Sequence, residues 1–357
     1  MDRSILFMAE YPNQETAKEG MSQRMIAVDR QFADDKRAYL FVSHRLYAKK
    51  EQKEIFPGVI QYRCNLFVHF FFILRLFRSS KLIYFHSIQN ALPILPILLI
   101  LTQSKYILDV HGIVPEEHLL AGYASKSKLY ALTERVLFKR LFLAISVTES
   151  MANHFKKKYL GLNYKNLIYP IMPNNIQNGV NQQPIEESDM INVVYSGNLQ
   201  KWQNVDLMLD IIADNLSPKI TYTLLTGSPE EMKAKAASKG LDEKKNVFIY
   251  SVAPDELVGY YNRANYGFIL RDDIPVNNVA CPTKLVEYMY YGIVPIVKSP
   301  NIGDFGAYGF EYLKVNDFSL NALKAVKSKK NKSIISEMLV NSQETDIREY
   351  LVSLEQL

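Results

Sequence analysis

The sequence predicts an α/β protein of two doubly wound domains joined by a polar linker, and three observations carry that expectation. Short apolar runs alternate with stretches of helical period through both halves of the chain, the rhythm of parallel sheets covered by helices. At 357 residues the chain is long for one core and comfortable for two. Residues 173–190, rich in Asn and Gln, with two prolines and few apolar side chains, interrupt the rhythm once.

In the first half, Ser4–Ala9 reads as a strand, followed by the polar loop Glu10–Gly20 and a helical pattern through Met21, Met25, Ile26 and Val28. Ala38–Val42, Lys81–Phe85, Tyr106–Val110, Ala144–Val147 and Leu167–Ile171 read as further strands. Helices are expected over Leu92–Leu101, kinked by Pro93 and Pro96, over Leu129–Phe142, and over Glu149–Tyr159 with Thr148 as its N-cap. After the linker the strands are INVVYSG, TYTLLTG, Val247–Tyr250, Tyr266–Leu270 and Val294–Lys298. The helices between them span Val205–Ala213, Glu230–Lys239, Pro254–Asn262 and Thr283–Tyr291. The domains so read are residues 1–172 and 191–325. Residues 326–357 form a helical segment free to pack back on the first domain. Two open sheets in tandem place ligands beyond their strand C-termini, so the expected site is a cleft between two facing domains.

Residues 1–172 hold 24 Lys+Arg against 14 Asp+Glu, and the remainder 18 against 23. A basic first half suits an anionic membrane or a phosphorylated acceptor; without a zinc finger, an RNP-like motif or a basic helix, nucleic acid is excluded. Aromatic residues are abundant, 23 Tyr and 18 Phe, and fit either a sugar-facing surface or an aromatic core. Cys64 and Cys281, far apart and outside any CxxC pair, argue against a disulfide framework and for reducing cytoplasm. The first apolar run is too short for a signal peptide, and Leu66–Phe77 and Ala91–Leu101 are too short to span a bilayer. Neither GxGxxG nor GxxxxGK[ST] occurs, which disfavours dinucleotide dehydrogenases and P-loop NTPases.

The chemistry concentrates in Gly267–Lys298, where a strand ends, a polar loop follows and a helix opens at Pro282–Thr283. Unpaired N–H groups at a helix start suit a diphosphate. Lys284 adds a charge in the first turn, and Glu287, three residues on and on the same side, is placed to accept from a ribose diol. With Gly292 and VPIV behind it, this segment resembles the nucleotide-binding domain of GT-B retaining glycosyltransferases of the group 1, or family 4, type. Asn278, Pro282, Lys284, Glu287 and Tyr288 resemble the N-x-x-x-P-x-K-x-x-E-Y pattern of its capsular and cell-wall polysaccharide branch. Val279 stands where the family has its first glutamate. VYSGNLQKWQNVDL resembles the family's diphosphate-clamp segment through Gly197, Leu199, Val205 and Asp206, with Asn198 and Gln203 at the places of its Arg and Lys. Lys201, Arg271 and Lys284 are the cations that remain to compensate phosphate, and Trp202 can stack on a base or anchor the loop. Asp109-Val110-His111-Gly112 follows a strand, and the resemblance places His111 toward the transferred sugar; a histidine there can donate to a hydroxyl. His86 ends the preceding strand in the same way. Glu19–Arg24 resembles the family's first loop, where Gly20 permits close backbone approach and Ser22 can cap the helix.

The resemblance implies two Rossmann-like domains and retaining transfer of a hexose from a UDP- or GDP-linked sugar to a saccharide acceptor, free or lipid-linked. His111, Arg271 and Lys284 are then the catalytic groups. Gly20, Gly197, Asn198, Lys201, Pro282, Thr283, Lys284 and Glu287 hold the donor. No tightly bound cofactor or metal is expected, and the place of work is the cytoplasm, at or near the inner face of the membrane. Two other readings stay open: a non-hydrolysing nucleotide-sugar epimerase of the same shape, and a catalytically silent saccharide-binding subunit.

Overall fold

The structure, a computed structural model, describes residues 3–13, 20–43, 50–101, 105–173, 176 and 190–355. The expected linker therefore lies almost wholly outside the described residues, as does Glu19 of the first loop. The chain divides into two units, Met1–Pro170 with Thr345–Leu357, and Ile171–Glu344.

The first unit contains strands β1 (Arg3–Met8), β2 (Arg37–Ser43), β3 (Glu51–Phe56), β4 (Val59–Asn65), β5 (Ser80–Phe85), β6 (Lys105–Val110), β7 (Leu141–Ser146) and β8 (Lys165–Ile168). They form one sheet in the order β3-β4-β2-β1-β5-β6-β7-β8, parallel except for β3, which pairs antiparallel with β4. The connections carry α1 (Gly20–Gln31), α2 (Phe70–Arg78), α3 (Ile88–Ala91), α4 (Leu95–Ile100), α5 (Val114–Leu120), α6 (Ala124–Phe138) and α7 (Glu149–Lys158). Side chains alternate across the sheet. Ile5, Phe7, Tyr39, Tyr84, Ile107 and Ile145 pack with Met25 and Val28 of α1 and with Phe32 just beyond it. Leu6, Met8, Ile83, Phe85, Leu108 and Ala144 are buried on the opposite face. Both faces being covered, the central strands β1, β2, β5 and β7 are apolar at most positions, which is why they stand out in the sequence. The expected kinked helix over Leu92–Leu101 is a 3-10 turn at Leu92–Ile94 running into α4, with α3 ahead of it. Pro93 and Pro96 sit at the first positions of the pieces they open, where a missing N–H costs nothing. Thr148 does cap α7, its hydroxyl oxygen accepting from Met151 N–H at 3.0 Å.

The second unit has β9 (Ile191–Ser196), β10 (Ile220–Leu225), β11 (Val247–Tyr250), β12 (Tyr266–Ile269), β13 (Val294–Val297) and β14 (Leu313–Lys314), all parallel, in the order β11-β10-β9-β12-β13-β14. Its helices are α8 (Val205–Asp214), α9 (Pro229–Ser238), α10 (Leu257–Arg263), α11 (Pro275–Asn278), α12 (Thr283–Tyr290) and α13 (Lys329–Glu344). Val193, Tyr195, Leu209, Ile212, Tyr222, Phe268 and Ile296 form its core. Gly292 ends α12 at φ +69°, with Gly292 N–H donating to Met289 O and Ile293 N–H to Tyr288 O, the paired closure that favours glycine. The terminal segment splits: α13 belongs to the second unit, whereas α14 (Ile347–Glu355) joins the first, burying Ile347 and Leu351 in its core. Ile347 N–H donates to Gln31 at 2.8 Å and Arg348 pairs with Asp35 at 2.6 Å. Among the described residues no helix is long and apolar enough to cross a membrane.

In each sheet the strand order turns back at the first strand. β1 lies between β2 and β5, and β9 between β10 and β12. Beyond the C-terminal ends of such strands the flanking loops diverge and leave a crevice.

Candidate functional site

In the second unit, the loops after β9 and β12 and the start of α12 meet at the point where strand order reverses. Gly197 directly follows β9. A Cβ there would stand 2.3 Å from Lys284 Nζ, so only glycine lets the lysine come so close to the backbone. Lys284 Nζ lies 4.3 Å from the centre of the Tyr195 ring and donates to Gln203 Oε1 at 3.4 Å. Burial, with the repulsion of Arg271 and only Glu287 in opposition, pushes the Lys284 ammonium down to about 7. Arg271, two residues after β12, is oriented by Asn277, whose Oδ1 accepts from Nη1 at 3.3 Å. Asn277 is itself buried and donates to Asp272 O at 2.9 Å. Burial also lowers the Arg271 pKa. Two cations thus share one partly buried crevice, an arrangement that repels itself until an anion arrives.

Glu287 projects from the second turn of α12, and Tyr261 OH donates to its Oε2 at 3.3 Å. The Tyr261 hydroxyl is 2.6 Å from Ser196 Oγ, and Ser196 N–H donates to Tyr288 OH at 3.0 Å. Glu287 is therefore held by a chain of hydroxyls running back to the end of β9. Pro282 and Thr283 form the start of α12, with Leu285 N–H and Val286 N–H bonding Pro282 O. Asn198 and Lys201 stand on the exposed loop beyond Gly197. The Asn198 side chain folds back on Gln200, donating to its Oε1 at 2.8 Å. The structure thus gathers Gly197, Arg271, Lys284 and Glu287 at one point and leaves Asn198 and Lys201 at its exposed margin.

The Asp272-Asp273 pair is fully engaged. Asp272 accepts from Lys298 and Asn204, and Asp273 from Asn278, Ser299 and Asn301. Among the described residues no group of three or more His, Cys, Asp or Glu could hold a metal ion.

In the first unit, Asp109 lies fully buried in β6. Arg24 of α1 grips it with Nε at 2.8 Å and Nη2 at 2.6 Å while Nη1 donates to Tyr169 O, and Tyr84 OH donates to Oδ2 at 3.2 Å. Burial alone would raise the Asp109 pKa, but Arg24, His111 and His86 outweigh it and hold it well below the usual carboxylate range. Arg24, at the end of the segment that resembles the family's first loop, is a buried counterion. Ser22 sits inside α1, which opens at Gly20, so it does not cap the helix. His111 Nδ1 and His86 Nδ1 lie 3.9 and 3.7 Å from the Asp109 oxygens, and among the described residues neither His111 ring nitrogen has a hydrogen-bond partner. The acid beside His111 is Glu117, whose Oε1 fills the space a Cβ on Gly112 would need; Glu116 instead pairs with Lys158 at 2.7 Å. A cavity of about 670 Å³ opens nearby, beyond β1 and β4, lined among others by Tyr11, Ser22, Gln61, Arg63 and Asn90.

Arg24, Asn277, Tyr195 and Tyr261 are the site groups the sequence did not reveal. Of these, Asn277, in an Asn-Asn pair beside the motif, and Arg24, at the end of the first-loop segment, carried a local signal, and neither signal named its partner.

No family model matches this sequence, and no curated protein matches it either. Solved structures do. Sucrose-phosphate synthase from Thermosynechococcus elongatus is similar over 99% of this chain and 100% of its own, at 12% identity and a TM-score of 0.64. The lipopolysaccharide outer core galactosyltransferase WaaB is similar over 98% and 99%, at 13% identity and 0.66. Anabaena HepE, solved in complex with UDP and glucose, is similar over 99% and 100%, at 13% identity and 0.65. The architecture of this chain, two Rossmann-like α/β units, is the GT-B fold.

Proposed function

We propose that this protein is a glycosyltransferase that moves a hexose from a nucleoside diphosphate sugar to a hydroxyl of a saccharide. The observation that carries the reading is the Arg271–Lys284 pair, two partly buried cations at the strand-order reversal of the second unit. A diphosphate supplies the charge they lack, as charge-assisted hydrogen bonds in a partly desolvated site. Gly197 and the N-terminal turn of α12, Pro282 and Thr283, admit the same group from the backbone side. Glu287, one turn further along, accepts from the ribose diol. His111 donates to the transferred sugar. The acceptor binds to the first unit, where the cavity lined by Tyr11, Phe41, Gln61 and Asn90 offers both polar groups and aromatic rings.

The acceptor oxygen bonds to the anomeric carbon as the bond from that carbon to the phosphate oxygen breaks. The acceptor proton passes to the departing diphosphate, whose growing charge Arg271 and Lys284 stabilise. Configuration is retained by front-face attack, and no metal is required. A UDP-linked donor is the first choice because HepE, of the same fold, was solved with UDP and glucose. Incubation with UDP-, GDP-, dTDP- and CMP-linked sugars tests the reading. Slow release of free sugar and nucleoside diphosphate from one donor, undiminished by EDTA, is the expected result. An isomerised sugar would convert the assignment to an epimerase, binding of no donor to a silent subunit, and loss with EDTA restored by Mn²⁺ would make the enzyme metal-dependent.

A further inference from the structure

The large apolar side chains left in solvent are unevenly shared between the units. Among the described residues more than half exposed, Val326 is the only one in the second unit. The rest belong to the first: Phe67, Val68 and Phe71 between β4 and β5, Leu99 and Ile100 between β5 and β6, Leu119, Leu120, Tyr123 and Leu132 between β6 and β7, and Leu160 between β7 and β8. These four connections all run in one direction across the sheet. Right-handed crossovers therefore place them on one face, opposite α1 and α14. The core on the α1 side contains no residue from α2 to α7, as this requires.

The β4–α2 corner is built to hold its phenylalanines outward. Asn65 Oδ1 accepts from Phe67 N–H at 2.9 Å and Val68 N–H at 3.2 Å, and His69 Nδ1 accepts from Asn65 N–H at 3.0 Å. Ile73, Leu76 and Phe77 turn α2 inward, leaving Phe67 and Phe71 at 73% and 81% exposure. The next turns of the outer face carry Arg75 and Arg78. On α6 the exposed charges are Lys126, Lys128 and Arg135, with Lys139 at its C-cap, and its one acid, Glu134, is buried against Lys158. Apolar tips among exclusively basic charges on these two helices, spread over four connections rather than gathered into one groove, match a fluid anionic surface.

We infer that the α2–α7 face of the first unit docks on an anionic lipid bilayer, with Phe67 and Phe71 entering the interface and Arg75 and Arg78 at the headgroups. The basic excess of the first half and the aromatic run Phe67–Phe77 pointed this way; the structure separates the residues that face outward from those that pack. The inference is independent of the transferase reading. Flotation of the full chain with phosphatidylcholine vesicles, with and without phosphatidylglycerol, at low and high salt, tests it. The wild type should float with the mixed vesicles at low salt. Phe67→Ser with Phe71→Ser, and Arg75→Glu with Arg78→Glu, should each reduce partitioning about ten-fold or more. Val352→Ser, on α14 of the opposite face, should change nothing. Circular dichroism and thermal unfolding should be the same in all of them, which confirms folding without reference to the donor site. Absence of flotation, flotation unaffected by both double substitutions, or a dimer that Phe71→Ser dissolves would overturn it, the last by assigning the face to a second copy.

Discussion

At the Lys284 ammonium, burial and the charge of Arg271 act together against protonation, and near neutral pH the group is balanced between its two forms. A bound diphosphate reverses that balance, so its binding must draw a proton from solution. Because the pKa of the free protein is about 7 and rises on binding, affinity for a diphosphate diester falls as pH climbs above 7. Calorimetry just above pH 7 in buffers of different ionisation enthalpy should show uptake of up to one proton, abolished in Lys284→Met. Uptake of none in the wild type would mean that Lys284 does not meet the phosphate. Lys284, Glu287 and Gly197 were legible in the sequence because their placement follows from a helix start and a strand end, which local spacing encodes. Arg24 and Asp109 are 85 residues apart and look like two unrelated charges until β6 and α1 are packed. Asn277 and Tyr261 matter through two side-chain hydrogen bonds each, and residue type alone does not disclose those.

Among the elements, α1 and β6 are joined by the Arg24–Asp109 pair more firmly than surface ion pairs join anything. Both side chains are buried, and removing one partner strands the other charge without water. Arg24→Ala should lower stability by about 3–5 kcal/mol in denaturant unfolding. Asp109→Asn should cost at least as much, since the neutral amide keeps the shape but leaves the Arg24 guanidinium, which cannot give up its proton, buried without a counterion. A change below about 1 kcal/mol for Arg24→Ala would show that the pair is as weak as an exposed one. Strands buried on both faces and helices with side-chain caps, such as α7 behind Thr148, were readable. The β3–β4 hairpin was not: Glu51–Phe56 is exposed and polar, so no apolar run announces it. Helix α6 begins at Ala124 rather than Leu129, because the intervening Ser and Lys residues have no apolar period and packing against α5 sets that turn.

Across the whole molecule the roles divide by unit. The second holds the cations, the glycine and the glutamate of the proposed donor site, and the first holds His111 beside a buried carboxylate. The two-unit architecture was legible from the βα rhythm and the interruption over 173–190, since each half had to enclose its own sheet. The return of α14 to the first unit was open in the sequence, which shows a helix but not the surface it covers. The division of roles has a direct consequence for binding. Replacing Arg271 by Met or Glu287 by Ala removes a charge-assisted hydrogen bond contributing about 1.5–3 kcal/mol, which weakens nucleotide binding by roughly 10-fold to 100-fold. Replacing His111 by Ala should leave the bare nucleoside diphosphate nearly as tightly bound and reduce turnover instead. Calorimetric titration of the matching nucleoside diphosphate into these three variants, with circular dichroism to confirm their fold, reads the whole account at once. Weakened binding in the first two and near wild-type binding in His111→Ala is the predicted pattern, and folded Arg271→Met and Glu287→Ala proteins that bind as tightly as the wild type would contradict it.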